Sequence, residues 1–587
     1  MPRPSRRAAP PPAKSQASPA PEATLPAWFQ PVTLALAGFA LLCCFSAPFQ
    51  SNDGWWHLEL GKYILEHRRL PVPDPFNFAT YLKGPAYPGE DVVRHFNLTH
   101  EWLSEVFFYA VWRVGGYGAV VLFRALILMA ACGAMGLMVW RRTAQQPGRA
   151  YLAVLAALAP ASVLYLFATD RPHIFTILFA ALFLLILDAG RPLWLLPPIA
   201  LIWANCHGGF IMSWILAGTF CITALYQRVR SKPLPGEGRL YLWSAAAVVV
   251  SLANPNGWNA IATIVYYRHS RMLSVIAEWR RTVLWPPGGF VVLLVAGALV
   301  LLWARRRARA IDLLLFTLFG VAGIYAVRNI VFIGLFAPVA IASYVSWKGR
   351  LAPQTAGFAA AALTLAVAIT PIAQGKALDF HAVESTRPAG AANFLEQHHI
   401  TGRIYNNLEH GGYLMWHLWP RNQVFSDGRL LNETVYGDYR LLTYNIDAGK
   451  PPLEILDDYG VQAVVLTGFE YVAGGPHMMM LALANPAQTT WKLVYKDGVA
   501  AVFMRRPPAG VDALPNGAAL TAMQEQCAEH IRQVPSEPGC ARGMAQIFQR
   551  LNDIPDARRW MAFYLERKVG PDPEAERQYQ MMVAGGR

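Results

Sequence analysis

Charge is the first scarcity in this sequence. Only 15% of its 587 residues are Asp, Glu, Lys or Arg, against roughly 25% in a typical soluble domain. With 54% hydrophobic residues and a mean hydropathy of +0.28, that deficit excludes a disordered chain and an ordinary cytosolic enzyme. Cysteine is sparse as well: seven residues, with no zinc-ligand spacing, do not make a disulfide-built scaffold. Cys43, Cys44, Cys132, Cys206 and Cys221 lie in or beside apolar blocks. Cys527 and Cys540 form the only pair in the polar tail, and can bridge if that tail faces an oxidising compartment. Phosphate-loop spacings are absent, since Gly411-Gly412 fits neither a Rossmann nor a Walker pattern. No Ser-His-Asp or Cys-His nucleophile set stands out. Acidic residues number 37 against 51 basic ones, a balance of +14. The basic residues do not form a nucleic-acid surface. They sit in short clusters between apolar blocks (Arg141-Arg142, Arg228 to Lys232, Arg305 to Arg309, Lys348 to Arg350), the signature of cytoplasmic loops.

Long apolar runs are what the chain has in abundance. Spanning a bilayer takes about 20 apolar residues. Eleven such stretches are expected, near 31–49, 117–140, 150–168, 174–189, 192–206, 209–227, 240–254, 288–304, 311–327, 329–347 and 355–374. Residues 1–30, rich in Pro, Ala and Arg, read as a disordered basic cytoplasmic tail that precedes an uncleaved first span. With the N-terminus inside, each basic cluster falls on the cytoplasmic side, and an odd number of spans places the C-terminal part outside. The expected fold class is therefore a polytopic α-helical membrane protein. A transmembrane domain covers 31–374, an extracytoplasmic α/β domain 375–510 and a helical tail 511–587.

Polar residue types gather on the outer side. Residues 51–62 read SNDGWWHLELGK, directly after the first span. Trp55 and Trp56 suit a membrane interface, and the stretch reads as a helix in the membrane plane. Asp53 is either a catalytic base or the cap of a helix beginning at Gly54. His57, one helical turn on, and Glu101, opening a later helix, carry the same duality of chemical and structural roles. Asp53, His57 and Glu101 are also a possible divalent-metal set, with unspecific spacing. Short outer loops bring Asp170-Arg-Pro-His173, Asn205-Cys-His-Gly-Gly209, Asn254-Pro-Asn-Gly-Trp258, Glu278-Trp-Arg-Arg281 and Arg328-Asn329. Polar groups at membrane depth are costly unless they face a cavity or a partner, so these loops point to a polar site at the outer boundary.

The acid just after the first span, the long first outer loop and the multi-span body resemble the GT-C superfamily of membrane glycosyltransferases. Protein O-mannosyltransferases and lipid A aminoarabinose transferases are examples. The stretches DGWWHLELGKYILEHRRLPVPDPF, HEWLSEV, RPHIFT, WANCHGGF, NPNGW and NNLEHGGYLMW…VFSDGR are similar to a group of bacterial GT-C-like proteins, over residues 31–506. Many members carry two adjacent acids at the catalytic spot, whereas Asp53 here is flanked by Asn52 and Gly54. The resemblance implies a polyprenyl-phosphate-linked sugar donor, a glycan, lipid or protein acceptor, a bacterial cytoplasmic membrane, and no certain cofactor beyond a possible divalent metal. Asp53 would be the base, with His57 and Glu101 beside it. Arg171, Arg268 and Arg328 would neutralise the lipid phosphate, and His173, His207 and Glu278 would contact substrate. Two rivals remain open at this level: a transporter or flippase for a lipid-linked substrate, and a non-catalytic envelope scaffold. No inverted repeat of span patterns supports the transporter.

Beyond 388, helical and strand patterns alternate, as in a small α/β domain with a partly parallel sheet. Strands are expected at 403–405, 423–425, 461–466, 491–495 and 500–504, the last two as a hairpin around Lys496-Asp-Gly498. Asp427 and Arg429 follow a strand end, a common ligand position in such sheets, and are expected either to bind substrate or to form a local ion pair in a turn.

Overall fold

The computed structural model describes residues 25–584, apart from 275, 346–351, 385, 445–450, 471–473, 486 and 516. The basic cluster at 348–350 and most of the N-terminal tail lie outside the described residues. A helix stands at each of the eleven expected apolar stretches. Five helical segments are long and apolar enough to cross a membrane, and five further apolar helices have 10–17 residues. The chain is thus a largely helical membrane protein, joined to a domain that contains a sheet.

Helix α1 (Phe29–Phe45) leads into α2 (Asn52–His67), and a proline-rich loop then runs to α3 (Glu90–Thr99) and α4 (Trp102–Arg142). The last of these joins two helices across Gly115 and Gly116. Gly116 has φ +61°, a left-handed conformation that glycine adopts without steric cost, so the helix turns here before entering its apolar stretch. Gly61 lets α2 lie directly on α4. A Cβ at this position would stand 2.1 Å from the Glu105 carbonyl oxygen. At the far ends of the helices, Arg142 and Arg309 share Asp188 and Asp312, at 2.6 to 3.1 Å, and clamp three helix ends together.

The C-terminal domain carries one five-stranded sheet. Its strands are β1 (Gly402–Asn406), β2 (Asn422–Val424), β3 (Ala463–Leu466), β4 (Lys492–Lys496) and β5 (Ala501–Met504), in the order β2-β1-β3-β5-β4. The first three run parallel, with Ile404 facing Val424 on one side and Ala463 on the other. The last two form the expected hairpin. The edge at β2 is covered by the first long loop. Val424 donates to the Phe76 carbonyl at 3.0 Å, and Phe78 donates to the Val424 carbonyl at 3.2 Å. This pairing welds the loop that follows α2 to the sheet and removes an exposed edge. The helices of the tail pack on the same domain. Gln526 accepts from the Gly468 amide at 2.7 Å, and Cys527 and Cys540 are joined in a disulfide.

One expectation is corrected. Trp55 and Trp56 do not face lipid headgroups, and α2 is no free amphipathic surface helix. Both indoles are buried. Trp55 packs edge-on against Phe49, Tyr117 and Tyr413, with ring centroids 4.9–5.4 Å apart. Trp56 lies on His57 at 3.6 Å. The helix Gly411–Leu418 covers this face so closely that a Cβ on Gly412 would stand 2.7 Å from the Asn52 carbonyl oxygen.

Candidate functional site

Ser51, not Asp53, caps α2: its hydroxyl accepts from the Asp53 amide at 3.3 Å. The helix begins at Asn52, two residues earlier than the capping alternative requires, and the Asp53 side chain is released from that duty. Its carboxylate accepts from Trp56 Nε1 at 3.1 Å and pairs with Arg171 Nε at 3.1 Å. Arg171 continues to Glu278 at 2.5 Å. These three side chains are 19%, 35% and 36% exposed, so the row borders open space rather than core.

The loop that presents Arg171 is set by its neighbour. Asp170 is buried and paired with Arg124 of α4 at 2.6 Å, and Arg124 also donates to the Phe45 and Ala47 carbonyls at the end of α1. The DRPH motif therefore divides its labour. Its aspartate anchors the loop and its arginine faces Asp53. His173 gives Nε2 to the Phe167 carbonyl at 2.9 Å, which orients the ring. Beside Glu278, Trp279 carries the Arg328 guanidinium on its ring face at 4.4 Å. Among the described residues Arg328 has no carboxylate at ion-pair distance. Burial opposes the charge on Glu278, but Arg171, Arg328 and His173 overcome it and hold the carboxyl below its ordinary range.

The C-terminal domain closes the site. Gly428 lies so near Asp53 that a Cβ there would stand 2.3 Å from Oδ1. Buried Arg387 donates to the Asn52 side chain and to the Gln50 carbonyl. Burial lowers the Arg387 guanidinium to about 10, against the opposing pull of Asp53. Nothing in the sequence around Arg387 announces this placement.

His57 and Glu101 stand in a second group. His57 is 2% exposed, and burial lowers its imidazole to about 3 against the pull of Glu101. Its Nδ1 lies 3.4 Å from Glu105 and 4.0 Å from Glu101. Glu101 also faces His100 Nε2 at 3.3 Å and His207 Nε2 at 3.6 Å. The polar motifs of the loops hold this group in place. Trp102 donates to Asn205 at 2.8 Å, Ser104 to the Cys206 carbonyl at 2.8 Å, and Asn256 to Thr99 at 2.9 Å. WANCHGGF and NPNGW thus act by seating the start of α4.

The expected metal set is corrected here. Potential ligand atoms of His57, Glu101 and Glu105 lie within 4.8 Å of one another, whereas Asp53 is taken up by Arg171. Glu105 went unnoticed in the sequence. Its spacing of four from Glu101 puts both on one helix face, which was the available signal.

Of the two roles open to Asp427 and Arg429, the structure shows the ion pair and not a substrate contact. Arg429 is 1% exposed and holds both Asp427, at 2.6 Å, and Asp74, at 3.1 Å. Asn77 donates to Asp427, and Thr80 and the Phe76 amide donate to Asp74. Burial opposes charge on Asp427, yet Arg429 holds its carboxyl below the usual range; at Asp74 burial prevails and raises it. The turn is a bolt between the first long loop and the sheet, with the Asp427 and Arg429 side chains buried. Arg268 lies outside these pairs. It is exposed, and no hydrogen bond or ion pair of its side chain joins it to the other described residues.

No known protein family matches the sequence, and no curated protein matches it either. Among solved structures the chain is similar to ArnT from Cupriavidus metallidurans in the apo state. Identity is 14% and the TM-score 0.44, over 82% of this chain and 97% of that one. It is similar to the same protein bound to undecaprenyl phosphate, with 14% identity and a TM-score of 0.43, over 83% and 98%.

Proposed function

We propose that this protein is a membrane glycosyltransferase. It moves a hexosyl or pentosyl unit from a polyprenyl-phosphate-linked donor to an envelope acceptor, on the side of the membrane that carries the C-terminal domain. The observation that supports this most is the partly open Asp53 carboxylate, oriented by Trp56 and Arg171 at the ends of apolar helices, with a second arginine nearby.

In this reading the acceptor hydroxyl gives its proton to Asp53, and its oxygen forms the new bond to the anomeric carbon. The bond from that carbon to the phosphate oxygen breaks, and the electron pair leaves with the polyprenyl phosphate. Attack opposite the leaving group inverts the anomeric centre. Arg171 is already committed to two carboxylates, so Arg328 is the better group for the departing phosphate, as a charge-assisted donor in a poorly hydrated setting. The lipid reaches the site from the bilayer, which explains a polar site at the ends of the spans. The disulfide in the tail belongs in an oxidising compartment, which supports an extracytoplasmic C-terminal domain and a cytoplasmic N-terminus.

The test compares envelope glycans and glycolipids by mass spectrometry in a deletion strain complemented with wild type or Asp53→Asn at matched protein level. The expected result is loss of one sugar on deletion, restored by wild type alone. Full restoration by Asp53→Asn would refute the role of Asp53. A glycan profile unchanged by deletion would refute the transferase.

A further inference from the structure

We propose that His57, Glu101 and Glu105 bind a divalent transition-metal ion. The site is separate from the Asp53–Arg171 row, and the inference does not rest on the transferase reading.

Glu105 Oε2 is buried without a hydrogen-bond partner, and the side chain is 3% exposed. An unpaired buried carboxylate oxygen is expensive. Both glutamates converge on His57 Nδ1, at 3.4 and 4.0 Å, and one nitrogen can give a proton to only one of them.

A cation among these atoms resolves both conflicts at once, because it accepts every lone pair and balances both carboxylates. The spacing fits. Ligands about 2.0–2.1 Å from a tetrahedral ion stand roughly 3.4 Å apart, close to the separations seen. Imidazole nitrogens combined with carboxylates suit zinc and its neighbours better than magnesium or calcium.

The surroundings have the character of an outer shell. His207 Nδ1 accepts from the Gly209 amide at 3.0 Å and lies 2.8 Å from the Thr176 hydroxyl. Its proton is therefore on Nε2, directed at Glu101 Oε1 at 3.6 Å. Donors of this kind orient metal-bound carboxylates. Trp56 lies against the His57 ring, with the two planes tilted by 39°. Gly61 brings α2 close enough to α4 for ligands from both to meet.

The experiment uses the full-length chain in detergent, purified without a polyhistidine tag and analysed for metals by mass spectrometry. The stripped protein is then titrated with Co2+ and followed by its visible absorption. We expect about one equivalent of a transition metal per chain, and a visible Co2+ spectrum that one equivalent of Zn2+ abolishes. Glu105→Gln and His57→Gln should each weaken Co2+ binding at least tenfold. Arg268→Gln, exposed and outside the ligand group, should bind as wild type. Each variant is judged only when its thermal midpoint shows that it is folded. Glu101→Gln is the further variant if the others fail to fold. Retention of less than a tenth of an equivalent by wild type after reloading would overturn the proposal. So would Co2+ binding that every cluster variant leaves unchanged.

Discussion

Replacing Arg429 by methionine tests the claim that the Asp427-Gly428-Arg429 turn is a bolt and not a ligand site. The guanidinium holds two carboxylates, and all three side chains are at most 1% exposed. Methionine keeps most of the volume and removes every donor. Asp74 and Asp427 are then left buried together, one supported by Thr80 and the Phe76 amide, the other by Asn77 and the Arg429 amide. Removing one member of a buried ion pair costs about 3–5 kcal/mol. A unit of roughly 200 residues loses about 2–4 °C per kcal/mol, so the thermal midpoint should fall by roughly 6–20 °C. The assay is thermal unfolding of the full-length chain in detergent, followed by tryptophan fluorescence. Limited proteolysis reports on the loop at 70–89, which should become cleavable first. The triple variant Asp74→Asn, Asp427→Asn, Arg429→Met removes the stranded charges and should recover most of the loss, a non-additivity expected of groups in contact. The reasoning fails if Arg429→Met shifts the midpoint no more than Arg268→Met does, or if the triple variant is less stable than the single one.

Three further outcomes are expected. Gly61→Ala drives a Cβ into the Glu105 carbonyl and should destabilise the chain by several kcal/mol, as overpacking against backbone does. Gly133→Ala, in the same α4 with open space around it, should be neutral or stabilise by up to about 1 kcal/mol, and matched melting curves compare the two. His410 is buried and its imidazole is lowered from 6.5 to about 3, by burial first and by Arg387 and His477 next. Between those values only the unfolded chain takes up the proton, so the contribution is complete above pH 6.5 and is lost as pH falls. At pH 5 that loss is about 2 kcal/mol, and His410→Phe should narrow the gap between melting points at pH 7 and pH 5. An equal gap in both proteins would contradict the assignment. Reduction of Cys527–Cys540, or its replacement by alanines, should weaken the tail by about 3 kcal/mol, seen as earlier proteolysis beyond residue 515. Unchanged cleavage would show that packing alone holds these helices.

Much of the architecture could be read from local pattern. A helix stands at every apolar run of the right length. The hairpin around Asp497-Gly498 was visible from its turn and its flanking strands. The site was legible by residue type but not by role. Asp53, Arg171 and Glu278 were all named, yet nothing local says that they form one row. Glu105 was missed although its helical spacing from Glu101 was present. Arg387 carried no signal, because its partners on Gln50 and Asn52 lie far away in the chain. Asp427 and Arg429 were open to either a ligand role or a local ion pair, because strand ends in α/β sheets often bind ligands. Burial against Asp74 decides for the ion pair.

The sequence by itself determined that this is a membrane-embedded helical chain with a polar α/β domain at its C-terminal end. Hydrophobic length and period are local properties, and burial in lipid or in a sheet demands them wherever the segment ends up. Only the tertiary structure decided which polar groups work and which merely hold. Asp53 was freed because Ser51 caps the helix. Trp55 went inside because the helix Gly411–Leu418 covers it. His57, Glu101 and Glu105 became a cluster because Gly61 lets two helices touch. Each of these outcomes depends on which distant surface arrives, and a contact between distant segments leaves no periodic trace in either of them.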